Sequence, residues 1–196
     1  MSKKTISIII VIGVISLVVF WSVSKYNNLI RKDETCNKQW AVVESQYQRR
    51  LDLIPNLVNV VKGYAKHEQE TFTEVIKARN QAAHVKINPN NVTQENINEL
   101  QTTQDNLTSA LQKFNLVVER YPELKANENF IELQSQLEGT ENRIAVERQR
   151  FSEVVGDFNA SIRRFPTNIV ANLFGFERKV YFEAQKGAEN APKVEF

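Results

Sequence analysis

The stretch NENFIELQSQLEGTENRIAVERQRFSEVVGDFNASIRRF, residues 127–165, carries large apolar side chains at Phe130, Leu133, Leu137, Ile144, Phe151, Val155, Phe158, Ile162 and Phe165. Separations of three, four or seven residues keep these on one face of a helix of about ten turns. Thr140 and Glu147 or Arg148 interrupt the stripe, while Glu132, Gln134, Glu138, Glu141, Arg143, Arg150 and Glu153 fill the other faces. Such a helix cannot bury its own stripe and needs neighbours of similar length. Asn127 or Asn129 can cap it, and Asn129 with Glu132 has capping-box spacing. Phe151 is expected against the second or third of those neighbours.

Upstream, Ile97, Leu100, Leu107, Leu111, Phe114, Val118 and Tyr121 mark the third helix, capped by Thr93 after the loop KINPNNVTQEN and ended by Pro122. The first helix is marked by Tyr26, Leu29, Asp33, Cys36, Trp40, Val43, Tyr47, Arg50 and Ile54, with no glycine or proline between residues 25 and 54. At Pro55 the chain either reverses around Asp52 to Asn56 or continues as one kinked helix. The reversal is the preferred reading because it gives neighbours of matched length. The second helix then runs from Asn56 to about Lys86 on the seam Leu57, Val61, Tyr64, Glu68, Phe72, Val75, Arg79 and Ala82.

The first helix is continuous with an uncharged run, TISIIIVIGVISLVVFWSVS, from Thr5 to Ser24. At 1.5 Å per residue it spans roughly 30 Å, the hydrocarbon thickness of a bilayer. Trp21 and Tyr26 stand at its downstream end, where amphipathic rings favour the headgroup level. The run is longer than the apolar segment of a cleaved signal, and Ser22-Val23-Ser24 is not the preferred Ala-x-Ala site. A retained single-pass anchor is therefore expected. Lys25, Arg31, Lys32 and Lys38 against Lys3, Lys4 and the terminal amine tilt the soluble part toward the cytoplasm.

Composition agrees with one helical domain plus an attachment element. Of 196 residues, 42% are hydrophobic and 24% charged, with six glycines and five prolines. A net charge of +2 gives no basic footprint for nucleic acid. Cys36 is the single cysteine, so the chain holds no internal disulfide.

Catalytic signatures fail one by one. His67-Glu68 begins like a zinc-protease motif, but Thr71 stands where the second histidine belongs. Di-iron bundles need Glu-x-x-His pairs, whereas Tyr64 and Gln81 precede His67 and His84 by three. Glu68 and Glu147, on or beside helical seams, read as structural carboxylates paired with Arg79 or Arg148. Cys36, on the first stripe, reads as a buried thiol rather than a nucleophile. Arg49-Arg50 and Arg163-Arg164 read as helix-end charge compensation, with phospholipid headgroups the alternative. No catalytic, cofactor-binding or metal-binding residue is assigned.

Several stretches carry a resemblance: YNNLIR from Tyr26, RRLDLIPNLVNVVKGYAKHE from Arg49, YPELKANENFIELQSQLEGTENRIAVER from Tyr121, and FNASIRRFPTNIVANLFGF from Phe158. Together they resemble the LemA family, bacterial proteins with an amino-terminal membrane segment and a long helical bundle. Phe158-Asn159 occupies the place of an aromatic-Asn pair usual near the end of the family's last long helix. The resemblance implies an anchor, an up-and-down four-helix bundle and no catalytic residues to transfer.

The expected protein is all-α: a single transmembrane helix followed by an antiparallel up-and-down four-helix bundle with coiled-coil-like seams. It divides into an anchor at residues 1–25, a bundle with a short terminal helical segment at 26–185, and a flexible tail at 186–196. The expected function is a non-enzymatic, membrane-tethered scaffold or protein-interaction module of the bacterial cell membrane. It contacts the bilayer through residues 5–24 and a protein partner elsewhere. The alternative is a lipid-contacting or membrane-remodelling protein, and a further one is an enzyme with an unrecognised site. After Pro166, Ile169, Val170, Leu173, Phe174 and Phe176 are expected to form one or two turns ending at Gly175. They should cover an end of the bundle, with Phe174 or Phe176 as the plug.

Overall fold

The computed structural model describes residues 3–182. The tail at 186–196 and the domain boundary at 185 lie outside them. Six α-helices, one short 3-10 helix (Pro89–Asn91) and no strand occur among the described residues. The α-helices are α1 (Lys3–Lys62), α2 (Gln69–His84), α3 (Gln94–Glu119), α4 (Pro122–Lys125), α5 (Glu128–Arg163) and α6 (Thr167–Leu173).

The chain does not reverse at Pro55. α1 continues through it for 60 residues, about 90 Å at 1.5 Å per residue. A proline inside a helix leaves the carbonyl four residues earlier without its donor. Here that carbonyl belongs to Leu51, and Arg79 Nε on α2 donates to it at 3.1 Å. The lost backbone bond is replaced from a neighbouring helix. Reversal comes instead at residues 63–68, where Tyr64 N and Ala65 N both donate to the Val61 carbonyl. α2 is consequently only 16 residues long and does not match its neighbours.

α1 changes character along its length. Through Phe20 every described residue is exposed, all of them apolar or small from Thr5 onward. From Leu29 onward it buries Cys36, Trp40, Val43, Tyr47, Leu51, Ile54, Leu57, Val58 and Val61. Its main neighbour is α5, and residue numbers fall along α5 as they rise along α1. Lys32 Nζ donates to Ser161 Oγ at 2.7 Å, and Gln39 Nε2 donates to Glu147 Oε2 at 2.7 Å. Arg50 meets Glu141, and Asn127 Nδ2 donates to the Tyr64 hydroxyl at 2.9 Å. α2 lies on α3 in the same reversed order, with Lys113 paired to Glu74 and Arg120 to Glu68.

α5 buries Phe130, Leu137, Ile144, Phe151, Val155, Phe158 and Ile162, with Thr140 filling one gap in the stripe. Thr140 satisfies its hydroxyl on the Gln136 carbonyl at 2.7 Å. Phe165 falls past the helix end and is exposed. Asn127 is the cap, accepting from Phe130 N at 3.0 Å, while Glu132 accepts from Gln136 instead of closing a capping box. Thr93 caps α3 through Asn96 N.

If Arg79 is what lets α1 pass Pro55, the two residues are energetically coupled. Arg79→Met should cost about 1–3 kcal/mol in denaturant unfolding, the penalty for an unsatisfied buried carbonyl. Pro55→Ala restores the backbone donor, so the same change should cost clearly less in that background. Equal costs in both backgrounds would show that the carbonyl contact is idle.

Candidate functional site

The core has two halves. One, around Ile54, Val61, Phe72, Leu107, Phe114, Leu124 and Phe130, is closed by α2 and α3. The other, around Leu29, Cys36, Trp40, Val43, Phe151, Val155 and Phe158, lies nearer the apolar end of α1. Between them sits a polar layer. Arg50, 3% exposed, donates to Gln104 Oε1 at 3.1 Å and to Thr108 Oγ1 at 2.7 Å. Its Nε is 2.6 Å from Glu141 Oε1, although its N–H is not aimed well enough to count as a hydrogen bond. Burial lowers the Arg50 pKa and raises that of Glu141, each only partly offset by the partner's charge. The layer ties α1, α3 and α5 together where Gln104, Thr108 and Glu141 reach the guanidinium, and holding these charges away from water carries a hydration cost. Arg50 is thus neither a helix-end charge nor a headgroup ligand, because α1 runs on beyond it.

Trp40 Nε1 and the Tyr47 hydroxyl are buried without a hydrogen-bond partner. Both residues line a cavity of about 90 Å³ with Leu51, Ala82, Ile87 and Leu100.

The half nearer the apolar span is covered by the segment after Pro166. Gly175, at φ +71°, ends α6. Phe176 N reaches back to the Ala171 carbonyl at 2.9 Å and Gly175 N to that of Asn172 at 3.4 Å, a Schellman turn. The chain then runs as a strap along α1 and α5. Asn159, buried on α5, holds it from both sides: its Nδ2 donates to the Lys179 carbonyl at 2.8 Å, and its Oδ1 accepts from Lys179 N at 2.9 Å. Lys179 Nζ pairs with Asp33 at 2.8 Å. Phe182 stacks on Trp40 at 5.8 Å, meets Phe151 edge-on at 5.6 Å and lies under Arg148 at 4.5 Å. Phe151 therefore packs against Trp40 of α1 and Phe182 of the strap, in one buried cluster with Leu100 of α3. Phe176 rests on Tyr26 and Phe158, while Phe174 is half exposed beside Tyr26. Phe176 and Phe182 do the plugging. Sequence periodicity missed the strap because it has none; the only signal was Phe158-Asn159.

The other singled-out residues scatter. Glu68 pairs with Arg120, and Glu147 with Arg150 and Gln39, not with Arg79 or Arg148. His67 and His84 are exposed at opposite ends of α2. Among the described residues no group of three or more His, Cys, Asp and Glu side chains is placed to hold a metal. Cys36 is buried and donates to the Val154 carbonyl at 3.5 Å.

This geometry defines an all-helical protein carrying one helix long and apolar enough to cross a membrane. The chain belongs to the LemA family, whose model matches residues 39–196. It is similar to Protein LemA of Metamycoplasma hominis, 22% identical over 184 residues, which cover 94% of this chain and 80% of that protein. It is also similar to Magnetosome protein MamQ 2 of Paramagnetospirillum magneticum and Magnetosome protein MamQ of Magnetospirillum gryphiswaldense. Each is 24% identical over 213 residues, covering 99% of this chain and 78% of the relative.

Two outcomes are expected. Asn159→Ala removes both hydrogen bonds to Lys179 and should destabilise the protein by about 1–3 kcal/mol. Hydrogen exchange at the Lys179 amide should rise while exchange in α2 and α3 stays unchanged; unaltered exchange would contradict the clamp. Burial also pushes the Cys36 thiol up from 9.0 to about 11. The folded state then keeps a proton that the unfolded chain releases, so this stabilisation is complete below pH 9 and is lost as pH rises toward about 11. Cys36→Ala should flatten the stability–pH curve in that window, measured by denaturant unfolding.

Proposed function

We propose that the chain is a membrane-tethered helical interaction module without catalysis. α1 crosses a bacterial cell membrane once through residues 5–24, and the remainder forms an up-and-down four-helix bundle, residues 26–185, that presents its outer faces to a protein partner. The observation that carries this reading is the uncharged run, none of it buried, on a helix that continues without a break into a packed core. In water such a face has no cover; in hydrocarbon it needs none. The reversed residue order between α1 and α5, and between α2 and α3, supports the bundle topology. The relatives' names are not those of enzymes, which supports a non-catalytic role. The balance of positive charge flanking the run supports a cytoplasmic bundle.

Carbonate washing should leave the full-length chain in the membrane pellet. Val11→Lys with Ile12→Lys, each costing about 2.5–3.5 kcal/mol at a helix centre on the insertion scale, should shift it to the soluble fraction. Release of the unaltered chain as a shortened soluble product would overturn the anchor. Proximity labelling in native membranes, followed by direct binding, would then identify the partner.

A further inference from the structure

The outer face of α6 has no cover among the described residues. Val170 and Ala171 are buried where α6 rests on α5 and α1. Ile169 and Leu173, four residues apart and hence on one face, are 58% and 77% exposed, and Phe165 just before the helix is 77% exposed. A single exposed apolar residue is ordinary, but neighbouring large ones on a short helix mark a contact surface.

Its position says what it contacts. Phe174, at the end of α6, has its ring 4.6 Å from that of Tyr26. Tyr26 lies only two residues beyond Ser24, the last residue of the uncharged run, a rise of about 3 Å along the helix. α6 thus sits at the level where α1 leaves the apolar span, a level marked on α1 by Trp21 with the Lys25 ammonium 5.8 Å from its ring. The charges at this end are mostly positive. Arg31, Arg163, Arg164 and Arg178 are exposed, against the exposed acids Glu34, Asp157 and Glu177, while Asp33 is paired to Lys179. An apolar face rimmed by arginines at the foot of a membrane span has the chemistry of a bilayer surface with anionic headgroups.

We propose that α6 is a second membrane contact: Phe165, Ile169 and Leu173 enter the headgroup–acyl boundary of the bilayer that α1 crosses, and Arg163 and Arg164 meet anionic headgroups. This rests on the anchor reading. The strap ties α6 to the body of the protein through Asn159 and Lys179, so the two contacts together set the tilt and rotation of α1 against the membrane plane. A hydrophobic span alone fixes neither.

The test uses the full chain in vesicles of phosphatidylethanolamine and phosphatidylglycerol, spin-labelled singly at Leu17→Cys, Leu173→Cys or Glu119→Cys. The parent chain, whose Cys36 is buried, sets the labelling background. Collision with oxygen, which concentrates in lipid, is compared with collision with a water-soluble nickel chelate. Leu173 should be oxygen-favoured, resembling Leu17 and unlike Glu119 at the far end of α3. Adding Arg163→Gln and Arg164→Gln should move the Leu173 label toward nickel. A Leu173 label as nickel-accessible as Glu119 would overturn the proposal. So would one shielded from both reagents, since that pattern means a protein partner or second copy covers the face. No response to the arginine changes would overturn the anionic-headgroup contact. A Leu17 label that is not oxygen-favoured would instead reject the anchor itself.

Discussion

The structure depends on one borrowed hydrogen bond. Pro55 cannot donate to Leu51, and Arg79 supplies the donor from α2. With that carbonyl satisfied, α1 has no reason to break, and three further buried residues, Leu57, Val58 and Val61, stay on one rod with Ile54. Reversal is deferred to residues 63–68. The delay shortens α2, and a short α2 cannot cover the whole α1–α5 seam. At 1.5 Å per residue α2 is about 24 Å long and α5 about 54 Å. The uncovered part is the half nearer the apolar span, and there the chain after Pro166 takes over.

That half is built unlike the other. Away from the span, helix packs on helix, and the corner between α3 and α5 seals the end with the fully buried Leu124. Nearer the span, a strap without helical periodicity is held by side-chain hydrogen bonds and aromatic contacts. A backbone laid over a core must satisfy its own polar groups. The Asn159 amide does so for Lys179, offering one donor and one acceptor in the same plane. The Arg50 layer between the halves has a different role. A buried guanidinium tolerates few misplacements, so α1, α3 and α5 must meet where Gln104, Thr108 and Glu141 can reach it.

Among the described residues the titratable groups with shifted pKa values are Cys36, Tyr47, Arg50 and Glu141, and burial is the leading cause in each. Such shifts accompany packing as readily as catalysis. Cys36 in particular is held as a thiol, the unreactive form. What the molecule offers its surroundings is a rod about 90 Å long with a helical body fixed to one part of it.

The sequence alone determined everything that follows from periodicity and caps. The stripes of Phe130 to Ile162, Ile97 to Val118 and Leu29 to Ile54 named most of the core, Thr93 began its helix, and the charge-free run marked the apolar span; between Asn127 and Asn129 the sequence left the cap of α5 open, and the fold chose Asn127. Gly175 was legible as the end of the short helix because the left-handed conformation costs it nothing. Tertiary structure decided what depended on a distant partner. Whether Pro55 breaks a helix is settled by Arg79, 24 positions later in the chain. Whether Arg50 faces solvent or core is settled by Gln104, Thr108 and Glu141 on two other helices. Phe182 has no helical repeat to announce it, and its place is set by Trp40 and Phe151. Local pattern encodes which face a residue occupies on its own helix; it does not encode which distant donor, charge or ring will meet that face.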